Sequence, residues 1–154
     1  MGKLLGLARK SRSRAAMEEI TSAAITVDEG LEGDYRGRLR RRQISVLARE
    51  DWDRVCTELG RDLSWTTRRA NLYLEGIALK DTQGARLKIG EDVILEVHCE
   101  TDPCSRMDEL SEGLRKALES DWRGGVCCRV ISGGRIAAGD SVVFENVQLV
   151  SSAD

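Results

Sequence analysis

The residues best suited to chemistry in this chain are its thiols and its guanidinium groups. There are five cysteines, Cys56, Cys99, Cys104, Cys127 and Cys128, and a single histidine, His98. The count is odd and no C-x-x-C occurs, so neither a disulfide framework nor a structural zinc site is expected. A Cys–His or Ser–His–Asp arrangement would have to be built on His98. Free thiols in a reducing compartment are the natural expectation. Cys104 has the most distinctive setting, in Thr101-Asp102-Pro103-Cys104-Ser105, between a strand-like and a helix-like run. Asp102 can cap the helix with Pro103 in its first position, or Ser105 can cap with Asp108 three residues on. Either register puts Cys104 among unpaired N–H groups at a positive helix end, with Arg106 close by. Such a setting favours a thiolate and predicts a thiol pKa below the usual ~8.5. The competing reading is a small residue filling a turn. Two tasks suit an activated thiolate: carrying a sulfur atom as a persulfide, or ligating a soft metal such as molybdenum.

Other residues offer the rest of a site. Arg68, Arg69 and Asn71 can hold phosphate or carboxylate groups, arginine in bidentate fashion; for one of the two arginines a solvated loop is the expected role. Gly124-Gly125 lets backbone N–H groups approach an anion, whereas Gly133-Gly134 reads as turn geometry. Gly33-Asp34 shapes the rim of such a site or forms a plain turn. Cys127 and Cys128 are adjacent and face opposite sides of a strand. One is expected in the core; the other, if it reached Cys104, would resolve a persulfide by forming a disulfide. His98, Cys56, Trp52, Trp65 and Trp122 read as packing residues. Arg36, Arg38, Arg40, Arg41 and Arg42 crowd one loop. Aromatic residues are not interleaved there beyond Tyr35, so a solvated or partner-facing loop, able to dock an acidic donor protein, is expected rather than a nucleic-acid grip.

The elements that must position these groups are mostly strands. Strand patterns cover Lys3–Ala8, Ile20–Val27, Gln43–Ala48, Asn71–Leu74, Ala85–Ile89, Val93–Cys99, Val126–Ser132 and Ser141–Val150. Asp28–Gly37 is a glycine-punctuated loop. Asp51–Leu59 reads as a short helix, and Met107, Leu110, Leu114 and Leu118 form one apolar stripe of another. Strands do not alternate regularly with crossover helices, so a mostly antiparallel barrel or rolled sheet with inserted helices is expected.

The 154 residues carry 24 basic and 26 acidic side chains, for a net charge of −2. Such a balance does not advertise nucleic acid or an anionic membrane. Residues 1–154 are expected to form one domain, with 151–154 frayed. No apolar run approaches the roughly 20 residues that span a bilayer, and the apolar N-terminal stretch is too short for a signal peptide, so a cytoplasmic protein is expected.

The motifs, taken in order, resemble a family. They are Gly30-Leu31-Glu32-Gly33-Asp34, Arg42-Gln43-Ile44-Ser45-Val46, Arg68-Arg69-Ala70-Asn71-Leu72 with Glu75-Gly76, Leu87-Lys88-Ile89-Gly90, Pro103-Cys104, Arg123-Gly124-Gly125-Val126, Arg129-Val130-Ile131 and Ala138-Gly139-Asp140. In order and spacing, from about residue 6 to 144, they resemble the molybdenum-cofactor sulfurase C-terminal (MOSC) domain family in its small stand-alone bacterial form. The resemblance implies a mainly β fold, a pyruvate-kinase-type β-barrel with inserted helices. It places the family's cysteine on Cys104, as sulfur carrier or as a metal ligand if molybdenum is bound directly. Larger members have a second cysteine three residues on, where this chain has Met107. Candidate cofactor-binding residues are Arg68, Arg69, Asn71, Gly124, Gly125 and Arg129. Three roles are implied: a sulfur carrier or transferase relaying sulfur towards molybdenum cofactor or another metal–sulfur acceptor, a molybdenum-cofactor-dependent reductase of N-hydroxylated compounds, or a non-catalytic cofactor-binding module. The partners implied are a cysteine desulfurase as donor and a molybdoenzyme or metal–sulfur acceptor. No lysine has the setting of a Schiff-base site, and the domain that handles pyridoxal phosphate in larger sulfurases is missing from this sequence, so no pyridoxal phosphate is expected.

Overall fold

The computed structural model describes residues 1–12, 15–38 and 42–145, with Arg38 described by its backbone alone. Its strands are β1 (Gly2–Arg9), β2 (Glu18–Ile20), β3 (Ser22–Thr26), β4 (Gly30–Leu31), β5 (Ile44–Ala48), β6 (Leu72–Glu75), β7 (Arg86–Ile89), β8 (Val93–Glu100), β9 (Val126–Ser132), β10 (Gly134–Ala137) and β11 (Ser141–Phe144). The helices are α1 (Arg49–Leu59), α2 (Ser105–Leu110) and α3 (Leu114–Leu118). The expected strand Ile20–Val27 is thus β3, with Ile20 ending the separate β2. The loop expected over 28–37 contains the two-residue β4 and a 3-10 turn, Tyr35–Arg38. The last strand is described only to Phe144, and the remainder of its expected span lies outside the described residues.

Seven strands close into a barrel in the order β1, β11, β7, β8, β9, β5, β6 and back to β1. All neighbours are antiparallel except β5 and β6. That parallel pair needs a crossover, which α1 and a 3-10 turn at Trp65–Arg68 supply. A second sheet, β10-β3-β4, lies beside the barrel. Leu4, Ile44, Val46, Leu72, Leu74, Leu87, Leu95 and Val97 fill the interior, together with Cys128. Along β6, β7 and β8 buried and half-buried positions alternate, as one covered face requires. β5 is buried on both faces. Its Ile44, Val46 and Ala48 belong to the barrel core, while Leu47 packs outward against Trp52, Val55, Leu114 and Leu118 of the helices.

The single apolar stripe expected over 107–118 is interrupted. Helix α2 ends at Ser111, which is extended, and the chain turns at Gly113 with φ 83°. Leu110 consequently points to solvent. Arg61 fixes the break by donating to Ser111 Oγ at 2.5 Å and to the Glu112 carbonyl at 2.7 Å.

Candidate functional site

A cavity of about 390 Å³ opens between the end of β1, the loop before β5, the 3-10 turn before β6 and the start of α2. Six cationic side chains line it: Lys10, Arg36, Arg42, Arg68, Arg69 and Arg106. Asp102 is the one carboxylate in the lining, and Cys104, Met107 and Cys127 bring sulfur.

Each group is placed by backbone geometry from a distant part of the chain. Lys10 follows β1. Its N–H donates to Asp34 Oδ1 at 3.0 Å, and its carbonyl accepts from Tyr35 N at 2.9 Å. Asp34 Oδ2 also accepts from Arg36 N at 3.1 Å, so one carboxylate folds the loop over the lysine. Gln43 ties that loop to the barrel. Its Nε2 donates to the carbonyls of Val27 and Gly37, and its Oε1 accepts from Val130 N. The Lys10 ammonium and the Arg36 guanidinium both lie over the Tyr35 ring, at 5.0 and 5.6 Å. Lys10 is only 5% exposed, and its ammonium has no hydrogen-bond partner among the described residues. Burial, helped by Arg36 and Arg69 and opposed by Asp34, pushes its pKa down to about 8.

Arg68 is 7% exposed. Its Nε donates to the Gly124 carbonyl at 3.1 Å and its Nη2 to the Thr101 carbonyl at 2.8 Å. Its Nη1 meets Met107 Sδ at 3.6 Å. No carboxylate among the described residues pairs with it. Burial lowers its pKa to about 10, against a favourable interaction with Cys127, so it stays a cation at neutral pH. Gly124 and Gly125 permit this arrangement. A Cβ on Gly124 would stand 2.6 Å from the Thr101 carbonyl oxygen and 3.0 Å from Arg68 Nη2. Gly125 has φ 88°, and a Cβ there would overlap the Val46 carbonyl oxygen. The Gly125 carbonyl accepts from Thr101 N at 2.9 Å, which joins β9 to the end of β8.

Arg69 ends its 3-10 turn in the left-handed region, φ 68°, and donates to the Ala15 carbonyl at 2.6 Å. Cys104 is exposed on the rim. It is itself the N-cap of α2, with φ −124° and ψ 177°, and its side chain makes no capping hydrogen bond. The helix therefore starts in neither of the two registers expected from Asp102 or Ser105.

The predicted site residues divide into three groups. Cys104, Arg68, Arg69 and Gly124 meet at the cavity. Asn71 and Gly125 stand behind it. Asn71, 1% exposed, accepts from Ser45 N at 3.0 Å and donates to the Ala8 carbonyl at 3.2 Å, so its polar atoms knit β5 to β1 and are turned away from a ligand. Gly125 shapes the wall by its turn. Arg129 lies outside the cavity, on the exposed side of β9, where its Nε pairs with Glu96 Oε1 at 2.9 Å. Its position in the strand points it away because Cys128, one residue earlier, points into the barrel. Arg36 and Arg42, expected in a solvated or partner-facing loop, line the cavity, Arg42 on its exposed side. Arg40 and Arg41 lie outside the described residues, as does the Arg38 side chain. His98 is half-buried and is not part of the cavity lining. Arg106, expected beside Cys104, lines the cavity with it. Lys10 was not singled out from sequence; it follows β1 at the start of a basic turn, and only Asp34 of the Gly30–Asp34 motif hints at it. Among the described residues no group of three or more His, Cys, Asp or Glu side chains could hold a metal ion. No helix among them is long and apolar enough to cross a membrane.

The architecture has relatives among solved structures. The YUAD protein from Bacillus subtilis is 20% identical, with a TM-score of 0.77 over 92% of this chain and 94% of that one. YiiM from Escherichia coli is 16% identical, with a TM-score of 0.71 over 94% of this chain and 70% of that one. YiiM from Geobacillus stearothermophilus is 18% identical, with a TM-score of 0.66 over 94% and 73%. At these identities the likeness is one of fold. No curated protein matches the chain in sequence. The family model described as the MOSC domain matches residues 25–143, which runs from the end of β3 into β11 and takes in every residue lining the cavity except Lys10. The chain belongs to the MOSC domain family.

Proposed function

We propose that this protein is a sulfur carrier in which Cys104 receives a sulfane sulfur and presents it at the mouth of a cavity that binds an anionic acceptor. The observation that carries this reading is the exposed Cys104 thiol on the rim of a cavity with six cationic side chains. In the loading step the Cys104 thiolate attacks the outer sulfur of a persulfide on a cysteine desulfurase. The donor's S–S bond breaks, a new S–S bond forms on Cys104, and the donor cysteine leaves as its thiolate. Exposure gives the donor access, and Asp102 and Pro103 hold the thiol in an extended segment ahead of α2.

The acceptor proposed is molybdenum cofactor or another metal–sulfur group. The residues fit the phosphorylated pterin of that cofactor. Lys10 has an ammonium that lies over the Tyr35 ring with no hydrogen-bond partner among the described residues, and Arg68 is a buried cation held by carbonyl groups rather than by carboxylates. A cavity of about 390 Å³ is within the usual range of small-molecule sites. Lys10, Arg36, Arg69 and Arg106 would hold the phosphate, and Arg68 would fix the charge of the inner wall. When bound, the cofactor supplies a redox-active metal. Cys104 is the one exposed thiol, so it would be the sulfur ligand offered at the rim, with the rest of the metal's coordination left to the cofactor.

The test is intact-mass analysis after incubation with a cysteine desulfurase and cysteine. The expected result is one added sulfur atom on Cys104, and none in Cys104→Ala. Unchanged mass, with Cys104 still readily alkylated, would falsify the carrier role. The same cavity supports a second reading, a molybdenum-cofactor-dependent reductase of N-hydroxylated compounds. Protein from a cofactor-deficient host separates the two: retained reductase activity there removes the second reading.

A further inference from the structure

Strand β8 carries an irregularity that brings two thiols face to face. Val97 lies opposite Cys128, and both side chains fill the barrel. Regular antiparallel pairing would then set His98 against Cys127. Instead the register slips by one residue between Val97 and Cys99, and Cys99 takes the place opposite Cys127. A β-bulge has this effect: the extra residue, here His98, re-aims the side chains that follow. Directly opposed residues share a face of the ribbon. Their Cα atoms are about 4.5–5.5 Å apart, inside the window of about 4.4–6.8 Å that a disulfide spans. Cys127 Sγ lies 3.1 Å from Thr101 Oγ1 and lines the cavity, while Cys128 is fully buried on the other face.

We infer that Cys99 and Cys127 are a redox couple, a dithiol with Cys127 in the cavity wall and Cys99 behind it, which a small anionic disulfide converts into a cross-strand disulfide. Cys127, reached through the cavity, attacks one sulfur of the small disulfide as its thiolate. That S–S bond breaks, a mixed disulfide forms, and the departing thiolate takes up the proton that Cys127 released. Cys99 then loses its proton and attacks the Cys127 sulfur. The second small thiolate leaves and takes up that proton. The two protein thiols are oxidised by two electrons, and the small disulfide is reduced to two thiols. The six cations of the lining favour an oxidant bearing carboxylates. Burial, reinforced by the neighbouring Cys127, raises the Cys99 thiol pKa, so ring closure is the slow step and speeds up at alkaline pH. This couple uses neither Cys104 nor its proposed persulfide.

The experiment exposes the reduced full-length protein to glutathione disulfide, blocks remaining thiols and maps tryptic peptides. Trypsin leaves Cys99 and Cys104 together on residues 89–106, and Cys127 and Cys128 together on 124–129. The map is therefore made on Cys104→Ser as well as on the wild type. The expected result in Cys104→Ser is a linked pair of these peptides, fragmenting as Cys99–Cys127, with a mass lower by two hydrogen atoms. In Cys99→Ser the link disappears and a mixed disulfide accumulates on Cys127. Should Cys99→Ser fail to fold, the Cys104→Ser map still decides. A link that vanishes with Cys104, a link fragmenting through Cys128, or no link at all would overturn the inference.

Discussion

The outer face of the β8–β9 ribbon and the cavity beside it treat arginine in opposite ways. On the outer face, Glu96 sits between Arg129 at 2.9 Å and Arg86 at 3.3 Å. Despite some desolvation, the two guanidinium groups hold the Glu96 carboxyl below its ordinary range. These charges are answered by each other and by water, and such exposed pairs contribute about 0–1 kcal/mol. In the cavity, Arg68 is answered by two carbonyl oxygens and a thioether, and Lys10 by an aromatic face. Carbonyl dipoles satisfy the N–H donors but leave the net charge in place. The lesson is that an arginine's partner, more than its presence, decides whether its charge remains for a ligand.

The comparison can be broken most directly at Arg68. Arg68→Met would leave the carbonyls of Gly124 and Thr101 without their donors, at about 1–3 kcal/mol for a buried group. We expect a loss of about 2–4 kcal/mol in urea denaturation and loss of calorimetrically detected inorganic phosphate binding. An unchanged denaturation midpoint would show that the carbonyl contacts do not matter. Lys10→Met should separate binding from folding. Phosphate affinity falls by roughly tenfold or more, as for loss of a charge-assisted hydrogen bond. Stability holds or rises slightly, because an amine without a hydrogen-bond partner leaves a buried place. Equal losses in both measurements would mark Lys10 as structural.

The pH dependence sharpens the same contrast. The folded Lys10 pKa, about 8, lies below its ordinary 10.5. Between those values the unfolded chain binds more protons than the folded one, so Lys10's contribution to stability rises with pH. Phosphate binding should weaken over the same interval as the ammonium charge is lost. Opposite slopes from pH 8 to 9.5 are therefore expected in the wild type, and both should flatten in Lys10→Met. Above pH 10 Tyr73 acts the other way, since burial raises its pKa to about 12 and its contribution to stability falls as the unfolded phenol ionises. The smallest effect is expected at Arg129→Met: a stability change within about 0.5 kcal/mol and unaltered phosphate affinity. Weakened binding there would extend the site onto the ribbon's outer face.

Much of the barrel could be read along the chain. Val93, Leu95 and Val97 alternate with half-buried neighbours as their pattern predicted. Cys104 could be found too, because proline and small polar residues mark the exit from a strand. Asn71, Arg68 and Arg129 looked alike as polar residues within motifs, yet one knits strands, one charges the cavity and one pairs on the surface. Their partners lie 26 to 63, 33 to 56 and 33 residues away. No local pattern reports such distances. His98 is a similar case, since a bulge depends on the register of the facing strand.

Local residue order was enough for the strands, the turns and the exposed thiol, because side-chain direction in a strand repeats every two residues and glycine or proline acts where it stands. The charge of the cavity was fixed when the barrel closed. Closure brought Lys10 under Tyr35 and Arg68 against Gly124 and Thr101, and electrostatic partners are chosen by distance in space rather than along the chain.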